Sequence, residues 1–424
     1  MKDGKCVITA IIAEYNPFHN GHLYQLKEAR KKTGADFVVI IMSGDHVQRG
    51  EPSVTDMYDR ARAACLNGAD AVFLMPFTAS VSSVADFAAG GVDSANALGI
   101  VDYLVFGAED DDTEELTKAA KSLISIENDS EMNEAIQNLS AEGRTYPEAL
   151  SKVLTDKGMS DVAELISKPN NTLGINYIMS LIRSGSDIKP VAVKRIGAGH
   201  FDGPDKKTAT ESATSIRKAL RSGNTGEILD SVPAETAENF AAYQNGFITA
   251  NDYSSILFYR LAMISKEAGN KAGFVKMLSS YADVSPALAS RIYAKFKGCA
   301  AWDELAASIW SKNLTYGRID RALIHILFGI TDESIKEKRE KGFCSYIRPL
   351  AIKRSSLDLL RLIKDYGKAP IISRISDEKL LKKKAACDDF NMSLLAADIY
   401  KRTYQNFHSH ECYDEYGPEF MQIL

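Results

Sequence analysis

The strongest constraint on this chain lies in the residues after its first apolar run. The β-branched and apolar stretch from Val7 to Ile12 meets Ala-Glu-Tyr-Asn-Pro-Phe-His-Asn-Gly-His at residues 13 to 22, and Leu23 to Lys32 follow with the composition and apolar spacing of a helix. Strand, sharp turn and helix start are thereby predicted in that order. His19 and His22, three residues apart at a helix N-terminus, share one face with unpaired backbone N–H groups and the positive end of the helix dipole. Such a place attracts phosphate, and Gly21 lets the backbone pass close to a ligand. The alternative is a pair of solvated or core histidines beside a turn; the flanking strand and helix favour the phosphate site.

Further along, strand-like and helix-like stretches alternate. Phe37 to Met42, Ala71 to Leu74, Tyr103 to Phe106 and Pro190 to Arg195 are predicted strands, and Met57 to Asn67 and Ser83 to Leu98 are predicted helices. This alternation predicts an α/β fold with a Rossmann-like parallel sheet and right-handed crossovers, and ligands at the carboxyl ends of its strands. The loops Glu14 to His22, Ser43 to Gly50 and Gly107 to Glu109 should then converge on one crevice. A polar, mostly helical stretch runs from Asp111 to Lys168, and Asn171 or Thr172 is a plausible cap for the helix through Arg183. Gly197 to Gly203 is glycine-rich but has neither dinucleotide-fingerprint nor P-loop spacing. Ser212, Thr214 and Arg217 open another helix, where hydroxyls and a guanidinium suit either phosphate or ordinary capping.

Beyond about Gly226 the pattern is helical, with strand signal only at Tyr346 to Ile352 and Pro370 to Ile375. We therefore expect two domains, 1–225 and 226–424, the second mainly helical; 424 residues are long for one core. No apolar run approaches a membrane span, and no signal peptide is expected. Six scattered cysteines without a Cys-x-x-Cys pair suggest free thiols in a reducing cytoplasm. His408, His410 and Cys412 have metal-like spacing, but without a second ligand cluster a solvated tail is favoured. The net charge of −5 gives no global support for nucleic-acid binding, yet Ser334 to Lys384 holds fifteen Lys/Arg against six Asp/Glu. That basic segment is read either as a phosphate-tracking surface or as solvated helix faces.

The histidine turn resembles the nucleotidyltransferase superfamily that carries a His-x-Gly-His signature after its first strand. The wider set of Glu14 to Tyr24, Ser43-Gly44-Asp45, Gln48 to Pro52, Phe106-Gly107, Pro169-Asn170-Asn171, Leu173-Gly174, Lys194-Arg195, Gly197-Ala198-Gly199, and Thr315 with Arg318 resembles the bacterial tRNA(Met) cytidine acetate ligase family. The chain departs from that pattern at His200, where an aromatic is expected. The resemblance implies activation of acetate by ATP, with magnesium, to acetyl-adenylate, and transfer to the exocyclic amine of the wobble cytidine of elongator tRNA(Met). It implies catalytic roles for His19 and His22. It implies ATP contacts at Ile12, Ala13, Glu14, Tyr15, Asn16, Pro17, Phe18, His19, Asn20, Gly21, His22, Leu23, Tyr24 and Gln25, at Gly107, Asn170, Asn171 and Arg195, and at Ser212, Thr214 and Arg217. No magnesium ligand is assigned; Asp45 is a candidate, with a turn cap favoured. Two rivals stay open: a nucleotidyltransferase acting on a small phosphorylated substrate, and a non-catalytic tRNA-binding protein.

Overall fold

A computed structural model describes residues 6–142, 144–195, 212–413 and 420–424. The Gly197–Gly203 loop, with His200, lies outside the described residues.

The predicted strands form, in order along the chain, β1 (Ile8–Ala13), β2 (Phe37–Ser43), β3 (Ala71–Met75), β4 (Tyr103–Ala108) and β5 (Lys189–Lys194). They run parallel in the order β5-β4-β1-β2-β3, with β1 central, Ile11 lying beside Ile40 on one side and Val105 on the other. Alternation along the strands fills both faces. Ile8, Ala10, Ile12, Val39 and Ile41 pack into one core, while Ile11, Val38, Ile40 and Met42 pack into another.

The crossover helices are α1 (Asn20–Thr33), α2 (Met57–Leu66), α3 (Val84–Leu98) and α4 (Pro169–Arg183). Helix α1 begins three residues before the apolar spacing indicates, because His19 caps it. Helix α4 likewise begins earlier than expected, with Pro169 as its first residue and Asn170 and Asn171 inside its first turn. Four helices between Thr113 and Ser167 fill the expected polar stretch.

After α5 (Ala213–Arg221) the chain is mainly helical and includes α6 (Ser254–Ala268) and α7 (Tyr316–Phe328). It then returns to the first sheet: β6 (Pro349–Lys353) pairs antiparallel with β3, and β7 (Met421–Ile423) pairs parallel with β6, making a seven-stranded sheet. The expected strand at Pro370 to Ile375 is not formed. Ile371 makes a single bridge to Ile347, and Asp377 then takes the N–H groups of Ser373 and Arg374 to start a turn of 3-10 helix at Ile375. Beyond that turn the region carries α8 (Lys384–His408), a helix of 25 residues. His408 ends α8, and after it His410 is half-buried and Cys412 buried, so these positions are not the solvated tail that the sequence favoured.

The helical core reaches into the sheet region. Val54, Phe77 and Val81 are buried among Leu257, Trp302, Tyr400 and Tyr404. The loop after β2 carries Gly50 at φ +75°, where an added Cβ would lie 2.4 Å from the backbone nitrogen of Arg321. That contact between loop and α7 leaves no room for a side chain. No described helix is long and apolar enough to cross a membrane.

Candidate active site

The carboxyl end of β1 turns sharply: Tyr15 has φ +48° and the Asn16–Pro17 peptide is cis. The turn delivers His19 as N-cap of α1 and His22 as its third residue. Gly21 N–H donates to His19 Nδ1 at 3.1 Å, and His19 N–H donates to His22 Nδ1 at 3.3 Å. A backbone N–H can only donate, so both Nδ1 atoms are unprotonated acceptors and each neutral ring carries its proton on Nε2. The rings are stacked, with centroids 3.6 Å apart and planes at 21°. Tyr15 and Phe18 support the His22 ring at 4.8 and 5.8 Å.

Burial, then the positive charges of Arg195 and Arg217, pull the His19 imidazolium down to about 4. Burial, then His19 and Arg195, hold His22 well below its usual value. Both rings are therefore neutral Nε2–H donors near pH 7, set among guanidiniums and a helix N-terminus. Such a group of donors suits a polyanion whose charge shifts during reaction.

The pocket is lined by His19, Gly21, His22, Tyr24, Gln25, Gly107 and the end of β5 through Arg195. Gly107 makes room for Arg195, whose Cγ would stand 3.2 Å from an added Cβ. Arg195 is aimed by two contacts: its N–H bonds Ala108 O at 2.8 Å, and its Nη1 bonds Asn170 Oδ1 at 3.1 Å.

The two adjacent asparagines do different things. Asn170 spans Glu109 and Arg195, donating to Glu109 Oε1 at 2.6 Å. Asn171 is fully buried, accepts the N–H groups of Glu109 and Asp110, and donates to Asp110. The acidic run thus turns onto the α4 N-terminus. Burial works to raise the Glu109 carboxyl, but the hydrogen bonds from Asn170 and Asn171 hold it below its usual range.

The remaining predicted residues lie around this pocket. Ile12 is core, so close to Gly91 that an added Cβ there would meet it at 2.6 Å, and Leu23 packs beneath against the second core. Asn20 donates to Asp230 O, and Pro17 continues the turn. Asn16 accepts from Val54 N–H through Oδ1 and from Arg217 Nη1 through its carbonyl. Arg217 therefore reaches the turn from α5, while Ser212 caps that helix by accepting Ser215 N–H at 3.1 Å. Thr214, Arg217, Arg49, Glu51 and Arg221 border an adjoining cleft that ends at Tyr316. Glu51 pairs with both Arg217 and Arg221. Asp45 is committed as a cap, accepting Met57 N–H at 2.7 Å.

Sequence reasoning missed Arg60. Only 1% exposed, its guanidinium donates to the carbonyls of Glu14, Ser43, Gly44 and Thr55, tying the ends of β1 and β2 together. Its signal was a cation three residues after Met57 and next to Ala61, on the buried stripe of α2. His46 was also missed as a structural residue. It lies fully buried among Phe77, Tyr253, Phe328 and Tyr400, with Nε2 3.0 Å from Tyr253 Oη.

The chain matches the HIGH Nucleotidyl Transferase family model over residues 6–415. It is 31% identical to the tRNA(Met) cytidine acetate ligase of Acetivibrio thermocellus over 434 residues, covering 98% of this chain and 99% of that protein. It is 33% identical to the tRNA(Met) cytidine acetate ligase of Thermoanaerobacter sp. over 406 residues, covering 94% and 96%. The crystal structure of Thermotoga maritima TmcAL bound with alpha-thio ATP matches with a TM-score of 0.85 at 26% identity, over 98% of this chain and all of that one. With a family model and relatives that agree over nearly its whole length, the chain belongs to the tRNA(Met) cytidine acetate ligase family of HIGH nucleotidyl transferases.

Proposed function

We propose that this protein activates acetate with ATP and acetylates the exocyclic amine of the wobble cytidine of elongator tRNA(Met). The observation that carries the reading is the stacked His19–His22 pair, neutral and donating at Nε2, with Arg195 and Arg217 on either side. A relative with an ATP analogue bound and relatives that act on tRNA(Met) cytidine supply the substrates.

In the first step an acetate oxygen attacks the α-phosphorus, the bond to the bridging oxygen breaks, and its electron pair leaves on pyrophosphate. The imidazoles, Arg195 and the N-terminus of α1 stabilise that departing charge; no covalent enzyme nucleophile is needed. In the second step the cytidine amine attacks the acetyl carbon, AMP leaves, and the amine loses a proton. Gly107, Tyr24 and Gln25 border the nucleotide, and Thr214 and Arg217 approach the triphosphate from α5. Magnesium would enter with ATP. Glu14 fits it, with one carboxylate oxygen on Gln48 N–H at 2.7 Å and the other without a hydrogen-bond partner among the described residues, as suits an ion that keeps most of its water.

Residues 1–225 carry the adenylylation chemistry on this reading, and 226–424 hold the RNA. The cleft beside the histidines supports an RNA approach, since Arg49, Lys218 and Arg221 lead to Tyr316, whose exposed ring lies within 21° of the exposed Trp310 plane at 6.4 Å. Cations for phosphates and open aromatic faces for unstacked bases suit a single-stranded loop. Of the basic segment, Lys338, Arg339 and Lys341 are paired with Asp389, Asp86 and Glu337, which leaves less of its charge for phosphate than the sequence count suggests.

The test is exchange of labelled pyrophosphate into ATP with and without acetate, followed by nucleoside analysis of tRNA incubated with the protein. Acetate-dependent exchange and acetylated cytidine are expected. Exchange indifferent to acetate, with no acetylated nucleoside, overturns the proposal.

A further inference from the structure

Away from the histidine pocket, two stretches of chain bring a carboxylate, an imidazole and a thiol together. Asp56, His410 and Cys412 each offer one ligand atom, and these atoms all lie within 4.8 Å of one another. Cys412 is 9% exposed and its thiol has no hydrogen-bond partner among the described residues. His410 stacks on Tyr243, ring centroids 3.9 Å apart, which fixes the plane of its ring beside Asp56 and Cys412. Asp56 uses Oδ1 to accept Asp59 N–H at 2.8 Å, while Oδ2 has only a long contact of 3.5 Å to Tyr413 N.

No Lys or Arg forms an ion pair with Asp56 among the described residues, and the guanidinium of Arg60, on the same helix, is given to backbone carbonyls. Three ligand atoms of different chemistry therefore meet with no cation among them.

We propose that Asp56, His410 and Cys412 bind a zinc ion, with water in the fourth position. A mixed nitrogen, sulfur and oxygen set suits zinc, whereas magnesium and calcium prefer oxygen alone. Tetrahedral zinc spaces its ligands roughly 3.3–3.8 Å apart, so the cluster closes by about 1 Å, a movement available to residues beyond the end of α8. As the sulfur–zinc bond forms, the thiol proton passes to solvent. The ion would pin the segment after α8 to the N-terminus of α2, the helix that carries Arg60. Its role is structural, and it stands apart from the nucleotide chemistry.

The test uses the full chain, stripped with chelator, equilibrated with zinc alone and desalted, with metal counted per chain and cobalt(II) substituted for spectroscopy. One zinc per chain is expected in wild type and in His22→Ala, with affinity at least tenfold weaker in Cys412→Ser and His410→Ala. The cobalt protein should show a thiolate charge-transfer band in the near ultraviolet that Cys412→Ser abolishes. Zinc should raise the melting temperature of wild type and not that of Cys412→Ser. No zinc retained by wild type, retention unchanged in Cys412→Ser, or loss in His22→Ala instead would overturn the proposal. Should Cys412→Ser fail to fold, the wild-type cobalt spectrum still decides, because a bound cobalt without a thiolate band excludes Cys412.

Discussion

Replacing Gly21 by alanine should separate the stability of this protein from its chemistry. Gly21 is the second residue of α1 and its φ is not in the left-handed region, so alanine fits the backbone. It should also favour the helix by about 0.5–1 kcal/mol. The obstruction is one side chain: the new Cβ would stand 2.9 Å from His19 Cε1 and 3.0 Å from Nδ1, where ordinary contact begins at 3.4 Å. Apart from α1's own backbone and the two adjoining residues, these two ring atoms alone among the described residues stand within 4 Å of the new Cβ, so a swing of the ring by roughly 0.5 Å relieves the clash without moving the helix. That movement stretches the 3.1 Å bond from Gly21 N–H to Nδ1 and disturbs the 3.6 Å stack on His22. A misplacement on the order of 1 Å at a reacting centre costs about 10²-fold. Acetate-dependent pyrophosphate exchange should therefore fall roughly 10- to 100-fold while the denaturant midpoint holds or rises. Exchange within about threefold of wild type, or stability lower by more than about 1 kcal/mol, would refute the reasoning, since the first denies the ring's placement and the second denies its freedom to move.

The neighbouring asparagines should part company: Asn171→Ala is expected to cost about 2–3 kcal/mol in urea unfolding by leaving the Glu109 and Asp110 N–H groups unpaired. Asn170→Ala should keep the fold within about 1 kcal/mol but raise KM for ATP in the exchange assay by releasing Arg195. Arg60→Met, of similar volume, should destabilise by about 3–5 kcal/mol in the same unfolding measurement, because the carbonyls it holds and Asp45 lose their cation. His46 is held down to about 3, first by burial and then by Arg60, so below pH 6.5 the unfolded chain binds the extra proton. The stability advantage of wild type over His46→Phe should accordingly shrink by about 1.4 kcal/mol per pH unit as pH falls from 6.5 toward 3; a pH-independent difference would contradict a neutral buried ring.

The five parallel strands were legible because each is a largely apolar, β-branched run closed by a polar turn, a glycine or a proline, as Ala71 to Met75 is closed by Pro76 and followed by a helix. The sixth was legible as a strand and illegible as a neighbour. Nothing local in Pro349 to Lys353 says that Val72 will be opposite Ala351, because pairing across such a separation is decided by which edge is left open. The long helix from Lys384 to His408 was missed because polar Asp388, Asp389 and Asn391 interrupt its apolar spacing, although Phe390, Ala397, Tyr400 and Tyr404 still bury one face. His19, Gly21 and His22 came from the motif and Gly107 and Arg195 from the family resemblance, and all five line one pocket. Sequence could not divide the roles of Asn170 and Asn171, since one residue along a helix turns the side chain by about 100° and sends one amide to Arg195 and the other into the interior.

The loop after β2 explains why the histidine turn keeps its shape with so few contacts of its own. Val54 donates its N–H to Asn16 Oδ1 at 2.8 Å and accepts Tyr404 Oη at its carbonyl, so a single residue joins the turn to α8. Tyr400 Oη holds Ser53 O at 2.8 Å one residue earlier, and Ser53 N–H holds Asp45 O at the end of β2. From the opposite side Arg217 takes the Asn16 carbonyl, and Arg60 takes that of Glu14. Each of these groups is wholly or partly buried, and leaving one unpaired costs about 1–3 kcal/mol, so the turn cannot shift without loosening the helical core, α5 or α2. On the proposed function, a phosphate site that aims two neutral imidazoles at a charge formed only during reaction gains from this rigidity, because its donors then need no reorganisation as that charge appears. On the same reading the helical half of the chain therefore helps to shape the adenylylating site as well as the RNA surface, since the hydroxyl of Tyr404 and the amide of Asn16 meet on the same residue, Val54.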